Sequence, residues 1–345
     1  MPKFRVGITP DFYVDAKGHF EAALEQKLAS APDIEYAPMP PQPGNVATSE
    51  ALNQFDAIFA LALKLTAESV RDVDRLALVA RWGVGYDMID VPALTRAGVA
   101  LAITPNAVKR PVAEAILTLI FALSKNLPEL DRTVRAGKWR GDLRRLGAGV
   151  AGKVLGSIGC GNIAQQLFRL ASSLGFARFI ACDPYVTEQT AQSVGATPVS
   201  LEEVLRQSDY VTVNTFLNDS TRGMIGEAQF RMMKPTAYFI NTARGPIVDQ
   251  RALTQALRQK LIAGAGIDVF EKEPVDPNDP LLALDNVILS PHGLAWTEEI
   301  ARDNGLEACD NILSVARGEA PAGLVNRDVL ANPRFQKKLD RYKRI

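Results

Sequence analysis

Short runs of β-branched and apolar residues recur along this chain with helix-length stretches between them, and that alternation restricts its fold more than any other feature. Strands joined through helices pair in parallel, so α/β architecture is expected. Strand patterns in the first hundred residues cover 4–8, 34–36, 57–61, 78–81 and 99–102, with helical patterns near 19–29, 67–72 and 91–97 between them. These residues read as one doubly wound unit. An apolar helix is expected over 111–127, opened by Pro111, because proline's missing N–H costs nothing at a first helical position. A second series has strands over 154–158, 179–182, 210–214, 237–241, 264–269 and 287–289. Ser200 and Glu203 form a capping box pattern, and Asp249 is placed to cap the helix that follows it. The charged tail beyond Leu330 is expected to be partly ordered at best.

At 345 residues the chain exceeds one ordinary core and fits two α/β domains. Lys plus Arg and Asp plus Glu stand at 39 each, so net charge gives no drive toward nucleic acid or a membrane surface. The basic run Arg132, Arg135, Lys138, Arg140, Arg144 and Arg145 is interleaved with Asp131 and Asp142 and reads as a solvated or subunit-facing surface. Three scattered cysteines, Cys160, Cys182 and Cys309, suggest neither a disulfide framework nor a zinc site, and no metal is expected. The chain enters a strand at once, without the apolar run of a signal peptide, and holds no apolar stretch of about 18 residues. A reduced, cytoplasmic enzyme is the expectation.

Gly159-Cys160-Gly161-Asn162-Ile163-Ala164 lies between the 154–158 strand and a helix, in the form G-x-G-x-x-A. Gly159 allows the tight turn, Gly161 lets the backbone approach a pyrophosphate, and Ala164 keeps the helix close to the sheet. A pyrophosphate sits favourably on the helix N-terminus, where free N–H groups meet an anion. Asp183 closes the next strand, roughly 20 residues on, where an acidic residue takes the ribose 2′-hydroxyl. Pro184 and Tyr185 follow it with no Arg to meet a 2′-phosphate, which favours NAD over NADP. The series therefore reads as a Rossmann domain of six strands.

Of two histidines, His19 reads as a surface residue, whereas His292 ends the last strand in Ser290-Pro291-His292-Gly293. Ligands of open α/β sheets bind beyond the carboxyl ends of the strands, so His292 stands where a proton-transfer group is needed. Arg244 ends one neighbouring strand, and Asp268, Glu271 and Glu273 follow another. An Arg fork suits a carboxylate or a polarised carbonyl, and a carboxylate beside His orients the ring and stabilises its charged form.

Taken in order, Gly83-Val84-Gly85-Tyr86-Asp87, the 159–164 fingerprint, Asn241-Thr242-Ala243-Arg244-Gly245, the segment from Asp268 to Glu273 and Pro274, and Ser290-Pro291-His292-Gly293 resemble the D-isomer-specific 2-hydroxyacid dehydrogenases. The resemblance covers roughly residues 50 to 320. It implies a dinucleotide-binding domain, 106–294, inserted into a flavodoxin-like substrate-binding domain built from 1–105 and 295–345. It implies Arg244 as the substrate-binding cation, His292 as acid/base and Glu273 as its partner. Asp268 would hold the nicotinamide carboxamide, with Gly159, Gly161, Asn162, Ile163, Asp183 and Thr242 completing the cofactor contacts. The backbone at Val84 and Gly85 would receive the substrate carboxylate. The implied activity is hydride transfer between NAD(H) and a small 2-hydroxy or 2-keto acid, as in glyoxylate or hydroxypyruvate reductases, in a homodimer. A formate or phosphite dehydrogenase is a second reading, although formate enzymes usually carry Gln where this chain has Glu273. A non-catalytic NAD-sensing module is a third. Met88 and Phe216 stand where the family usually has Asn and Pro, Trp296 follows His292 closely, and Lys109 and Arg110 precede the long helix. These positions bear on the choice of substrate.

Overall fold

The computed structural model describes residues 3–16, 18 and 20–342, so His19 lies outside the described residues. The chain separates into two compact units, Met1–Val108 with Trp296–Ile345, and Lys109–Ala295. The first unit holds β1 (Phe4–Ile8), β2 (Ile34–Pro38), β3 (Ala57–Ala60), β4 (Leu78–Arg81) and β5 (Ala100–Ala102). All pair in parallel, in the order β2-β1-β3-β4-β5. That is the flavodoxin-like winding, with its reversal between β1 and β3. Strands β3 and β5 are buried throughout, which is why they read as continuous apolar runs rather than alternating ones. One sheet face packs Phe12, Phe59 and Trp82 against Ala308, Cys309 and Ile312 of the helix Glu298–Ala316. The other packs Leu52, Ile58, Val79 and Leu101.

Two expectations fail in this unit. Residues 67–72 form turns, not a helix. Thr66 and Ser69 exchange backbone-to-hydroxyl hydrogen bonds at 3.1 and 3.3 Å, a local alternative to helical pairing. The tail is ordered into the helix Pro333–Asp340, capped by Asn332. Phe335 and Leu339, four residues apart on one face, are buried. Buried Lys338 donates to the carbonyls of Leu76, Ala97 and Gly98 at 2.7–3.1 Å. A residue type that suggested a loose tail thus ties it down through hydrogen bonds.

The second unit holds β6 (Val154–Ile158), β7 (Arg178–Cys182), β8 (Ala196–Pro198), β9 (Tyr210–Val213), β10 (Tyr238–Asn241), β11 (Gly264–Ile267) and β12 (Val287–Leu289). Their parallel order is β12-β11-β10-β9-β6-β7-β8, the Rossmann winding with its reversal between β6 and β9. There are seven strands where six were expected. Strand β8 is three residues long, ends in proline and sits at the sheet edge, where a missing N–H is tolerated. The long helix also starts earlier than expected, running Pro105–Ser124 with Pro111 inside it. Pro105 takes the first helical position, and Pro111 merely withholds one interior N–H. The expected caps hold: Ser200 and Glu203 form the reciprocal box, and the Asp249 carboxylate accepts the Ala252 N–H at 2.9 Å.

Candidate active site

The second unit places the residues singled out in its sequence at the carboxyl edge of the sheet, after β6 and β7 on one side of the β6–β9 reversal and after β10, β11 and β12 on the other. Gly159 follows β6 with φ +97°, and a Cβ there would lie 2.4 Å from the Asn214 carbonyl oxygen. Only glycine fits. Gly161 is the N-cap of the helix Asn162–Ala171, without a side-chain cap. A Cβ built on Gly161 would meet nothing within 4 Å. The space beside Gly161 is therefore open where the helix begins, as a pyrophosphate cradle requires. Ala164 is fully buried against the sheet, Ile163 is partly buried beside it, and Asn162 is exposed.

Asp183, the residue directly after β7, accepts the Cys160 N–H at 2.8 Å through one oxygen and the Tyr185 N–H at 2.8 Å through the other. Its carboxylate is thereby fixed beside the glycine turn. The next helix is capped by Thr187, so Asp183 is not a helix cap. Cys160 and Cys182 flank this turn; burial pushes both thiols up to about 11, so neither is a nucleophile.

The residues that follow β11 and β12 are joined by a short set of contacts. His292 Nδ1 lies 2.8 Å from Glu273 Oε2, and Glu273 Oε1 accepts the Phe270 N–H at 2.9 Å. Burial pushes the Glu273 carboxyl up, but the hydrogen bond and charge of His292, the Phe270 amide and the charge of Arg244 together outweigh it. The carboxyl ends below its usual range. His292 has φ +53°, an uncommon conformation for a residue with a Cβ. Its N–H is held by the Asp268 carbonyl at 2.7 Å. Buried Asp268 accepts Ser290 Oγ at 2.6 Å and the amides of Gly293 and Leu294 at 3.1 and 3.2 Å, all through Oδ1. Among the described residues no donor is found on Oδ2.

Arg244 is shaped by its neighbours. The Asn241 side chain accepts the Ala243 N–H and donates to the Arg244 carbonyl, both at 3.0 Å, and Arg244 Nη1 donates to the Ala243 carbonyl at 2.7 Å. Thr242 is partly buried in this turn. At Gly245 a Cβ would fall 1.9 Å from the Phe270 carbonyl carbon and oxygen. Glycine thus lets the Arg244 turn rest directly on the backbone leading to Glu273. The roles of Asn241, Gly245 and Ser290 escaped the sequence reading, although all three sit inside the quoted motifs.

In the first unit, Val84 and Gly85 follow β4 in a turn closed by reciprocal bonds: Gly83 N–H to Thr104 Oγ1 at 2.8 Å and Thr104 N–H to the Gly83 carbonyl at 3.1 Å. Among the described residues the amides of Val84 and Gly85 have no hydrogen-bond acceptor. Adjacent unpaired N–H groups form an anion-receptive concavity. Met88, Phe216 and Trp296 are 43%, 64% and 44% exposed, and the Trp296 ring meets the buried Trp82 ring edge-on at 5.8 Å. Arg110 is engaged by Glu114 one helical turn on, at 2.7 Å.

The profile of the D-isomer specific 2-hydroxyacid dehydrogenase NAD-binding domain matches residues 117–293. The chain belongs to the D-isomer specific 2-hydroxyacid dehydrogenase family. A glyoxylate reductase of Korarchaeum cryptofilum is 38% identical over 81% of this chain and 86% of its own length. One from Aeropyrum pernix is 36% identical over 90% of this chain and 94% of its own. The crystal structure of a glyoxylate reductase from Paecilomyes thermophila superposes with a TM-score of 0.81 at 30% identity, covering 95% of this chain and 99% of the other. As a member of the 2-hydroxyacid dehydrogenases, this protein is an NAD-dependent oxidoreductase of 2-hydroxy and 2-keto acids. Among the described residues no helix is long and apolar enough to cross a membrane.

Proposed function

We propose that this enzyme reduces small 2-keto acids of the glyoxylate and hydroxypyruvate type at the expense of NADH. The observation that carries the reading is the 2.8 Å His292–Glu273 pair, with the charge of Arg244 felt at the same carboxylate. Relatives named glyoxylate reductase, alike over most of both chains, support the substrate class. Bound NADH supplies the hydride. Arg244 holds and polarises the keto acid, its planar fork matching a carboxylate. His292, oriented through Nδ1 by Glu273, gives a proton to the carbonyl oxygen from Nε2, and in oxidation takes it back. Asp268, held through Oδ1 by Ser290, Gly293 and Leu294, would hold the nicotinamide carboxamide. Gly159, Gly161, Asn162, Ile163 and Thr242 line the dinucleotide, and Asp183 accepts the ribose hydroxyls and repels a 2′-phosphate. In a substrate-binding domain taken as 1–105 and 295–345, the amides of Val84 and Gly85 receive the substrate carboxylate. The dinucleotide belongs to 106–294.

The working form is a cytoplasmic homodimer. Leu127, Val134, Trp139 and Leu146, which lie close in sequence, are each more than half exposed and support a second copy as the natural cover. The three cysteines are free thiols, in keeping with a reducing compartment. The deciding experiment is oxidation of NADH and NADPH against glyoxylate, hydroxypyruvate, pyruvate and branched keto acids, with sedimentation of the same preparation. Turnover of the small acids with NADH ahead of NADPH is the expected result. No turnover of any keto acid would favour an NAD-sensing module instead.

A further inference from the structure

The turn that offers the Val84 and Gly85 amides is built on an arginine. Arg81 is the last residue of β4, and its Nε donates to the Gly85 carbonyl at 2.8 Å. Its guanidinium passes close beneath the turn: a Cβ on Gly83 would lie 2.6 Å from Arg81 Nη1. Gly83 also has φ +117°, which a side chain would oppose. Glycine is therefore needed for the backbone angle and for the cation's place. The opposite flank of the turn is closed by Thr104, itself hydrogen-bonded to the buried Asn304.

From this geometry we infer that Arg81 is a positioning and selectivity residue for the substrate carboxylate, acting through the turn that binds it. The inference rests on the proposal that the Val84 and Gly85 amides receive that group. Two effects combine. The Nε–Gly85 bond anchors the carbonyl side of the turn and so fixes where its N–H groups lie. The guanidinium also sets a fixed positive charge against the turn that carries the two amides, in a partly buried place where water screens it weakly. A carboxylate gains from both effects; a neutral ester of the same acid gains little from the charge. Such an interaction is made before and during the chemical step alike, so its loss raises KM more than it lowers kcat.

The test compares pyruvate with methyl pyruvate in the parent enzyme, Arg81→Met and Arg81→Lys. Kinetics are combined with NADH binding by fluorescence and with thermal melting. In the parent, the acid is preferred over the ester. In Arg81→Met, KM for pyruvate rises on the order of tenfold, kcat falls much less, NADH affinity is unchanged and the acid-over-ester preference shrinks. Arg81→Lys, which keeps the charge without the fixed Nε donor, lies between the two. A parent enzyme indifferent to acid and ester would overturn the carboxylate site itself. A parent that discriminates, with the same preference kept in both folded variants, would overturn the role of Arg81 alone. If Arg81→Met does not fold, Arg81→Lys decides: an unchanged KM and preference reject the inference.

Discussion

The two sheets of this protein are wound on the same parallel principle and offer their carboxyl edges in opposite chemical styles. The seven-stranded sheet presents side chains: His292, Glu273, Arg244 and Asp268, each fixed by a neighbour within hydrogen-bond reach. The five-stranded sheet presents backbone, two amides in a turn braced by Arg81 and Thr104. Proton transfer requires groups that titrate, which only side chains supply, whereas holding an anion needs oriented N–H groups, which any backbone carries. The contrast predicts that changes at the first edge reduce the chemical step and changes in the other unit alter binding or stability.

His292→Ala gives the sharpest test. It should lower kcat for reduction on the order of a hundredfold or more with NADH binding intact, as loss of a general acid does. Parental rates in that variant would break the division at once. Arg244→Lys should follow, losing roughly tenfold or more in kcat/KM because a lysine keeps the charge but not the fork. Near-normal efficiency would move Arg244 out of the site.

Glu273→Gln sharpens the comparison through pH. The Glu273 carboxyl is held below its usual range, so it stays ionised throughout a neutral assay. Its folded value being depressed, its stabilising contribution is complete above the ordinary carboxylate range and is lost as pH falls through the folded value. The parent enzyme should therefore show no effect of Glu273 titration until well into acid. Glutamine keeps the shape and removes the titrating carboxylate. The acid loss of kcat/KM that Glu273 protonation causes in the parent should then be absent, with a smaller loss than in His292→Ala at the optimum. An acid limb identical in parent and Glu273→Gln would reject the pair.

Lys338→Met should have the smallest effect on catalysis. The carbonyls of Leu76, Ala97 and Gly98 would lose a buried donor, at a cost of roughly 2–4 kcal/mol in unfolding free energy. Urea titration and melting would show it. Below the transition, kcat should change less than about twofold. A large loss of kcat in a folded variant would mean that the two units are not separable in this way.

The same contrast explains what could be read in the amino-acid order. The central strand positions followed from burial on both faces, and the dehydrogenase motifs are written in side chains that have names. The Val84–Gly85 amides have none, and only the resemblance pointed to them. Strand β8 was overlooked because three residues ending in proline lack periodicity. The 67–72 segment looked helical because its hydroxyl-to-amide bonds depend on Thr66 and Ser69 meeting in space. The C-terminal helix was undervalued because Lys338 counts as polar in a sequence and as buried only once the carbonyls around it are known. Arg81 read as the end of a strand, and nothing local showed its side chain curling back to Gly85.

Gly245 has a consequence for how such an enzyme can change over generations. With its Cα resting against the Phe270–Glu271 peptide, the turn bearing Arg244 and the segment leading to Glu273 share one surface, and any side chain would pry them apart. Arg244 and the His292–Glu273 pair are then inherited as a block. New substrates have to be acquired elsewhere, at less embedded positions such as Met88, Phe216 and Trp296, which keep 43%, 64% and 44% of their surface exposed. Libraries confined to those three positions should give altered specificity with folded protein, while randomised Gly245 should return glycine almost every time.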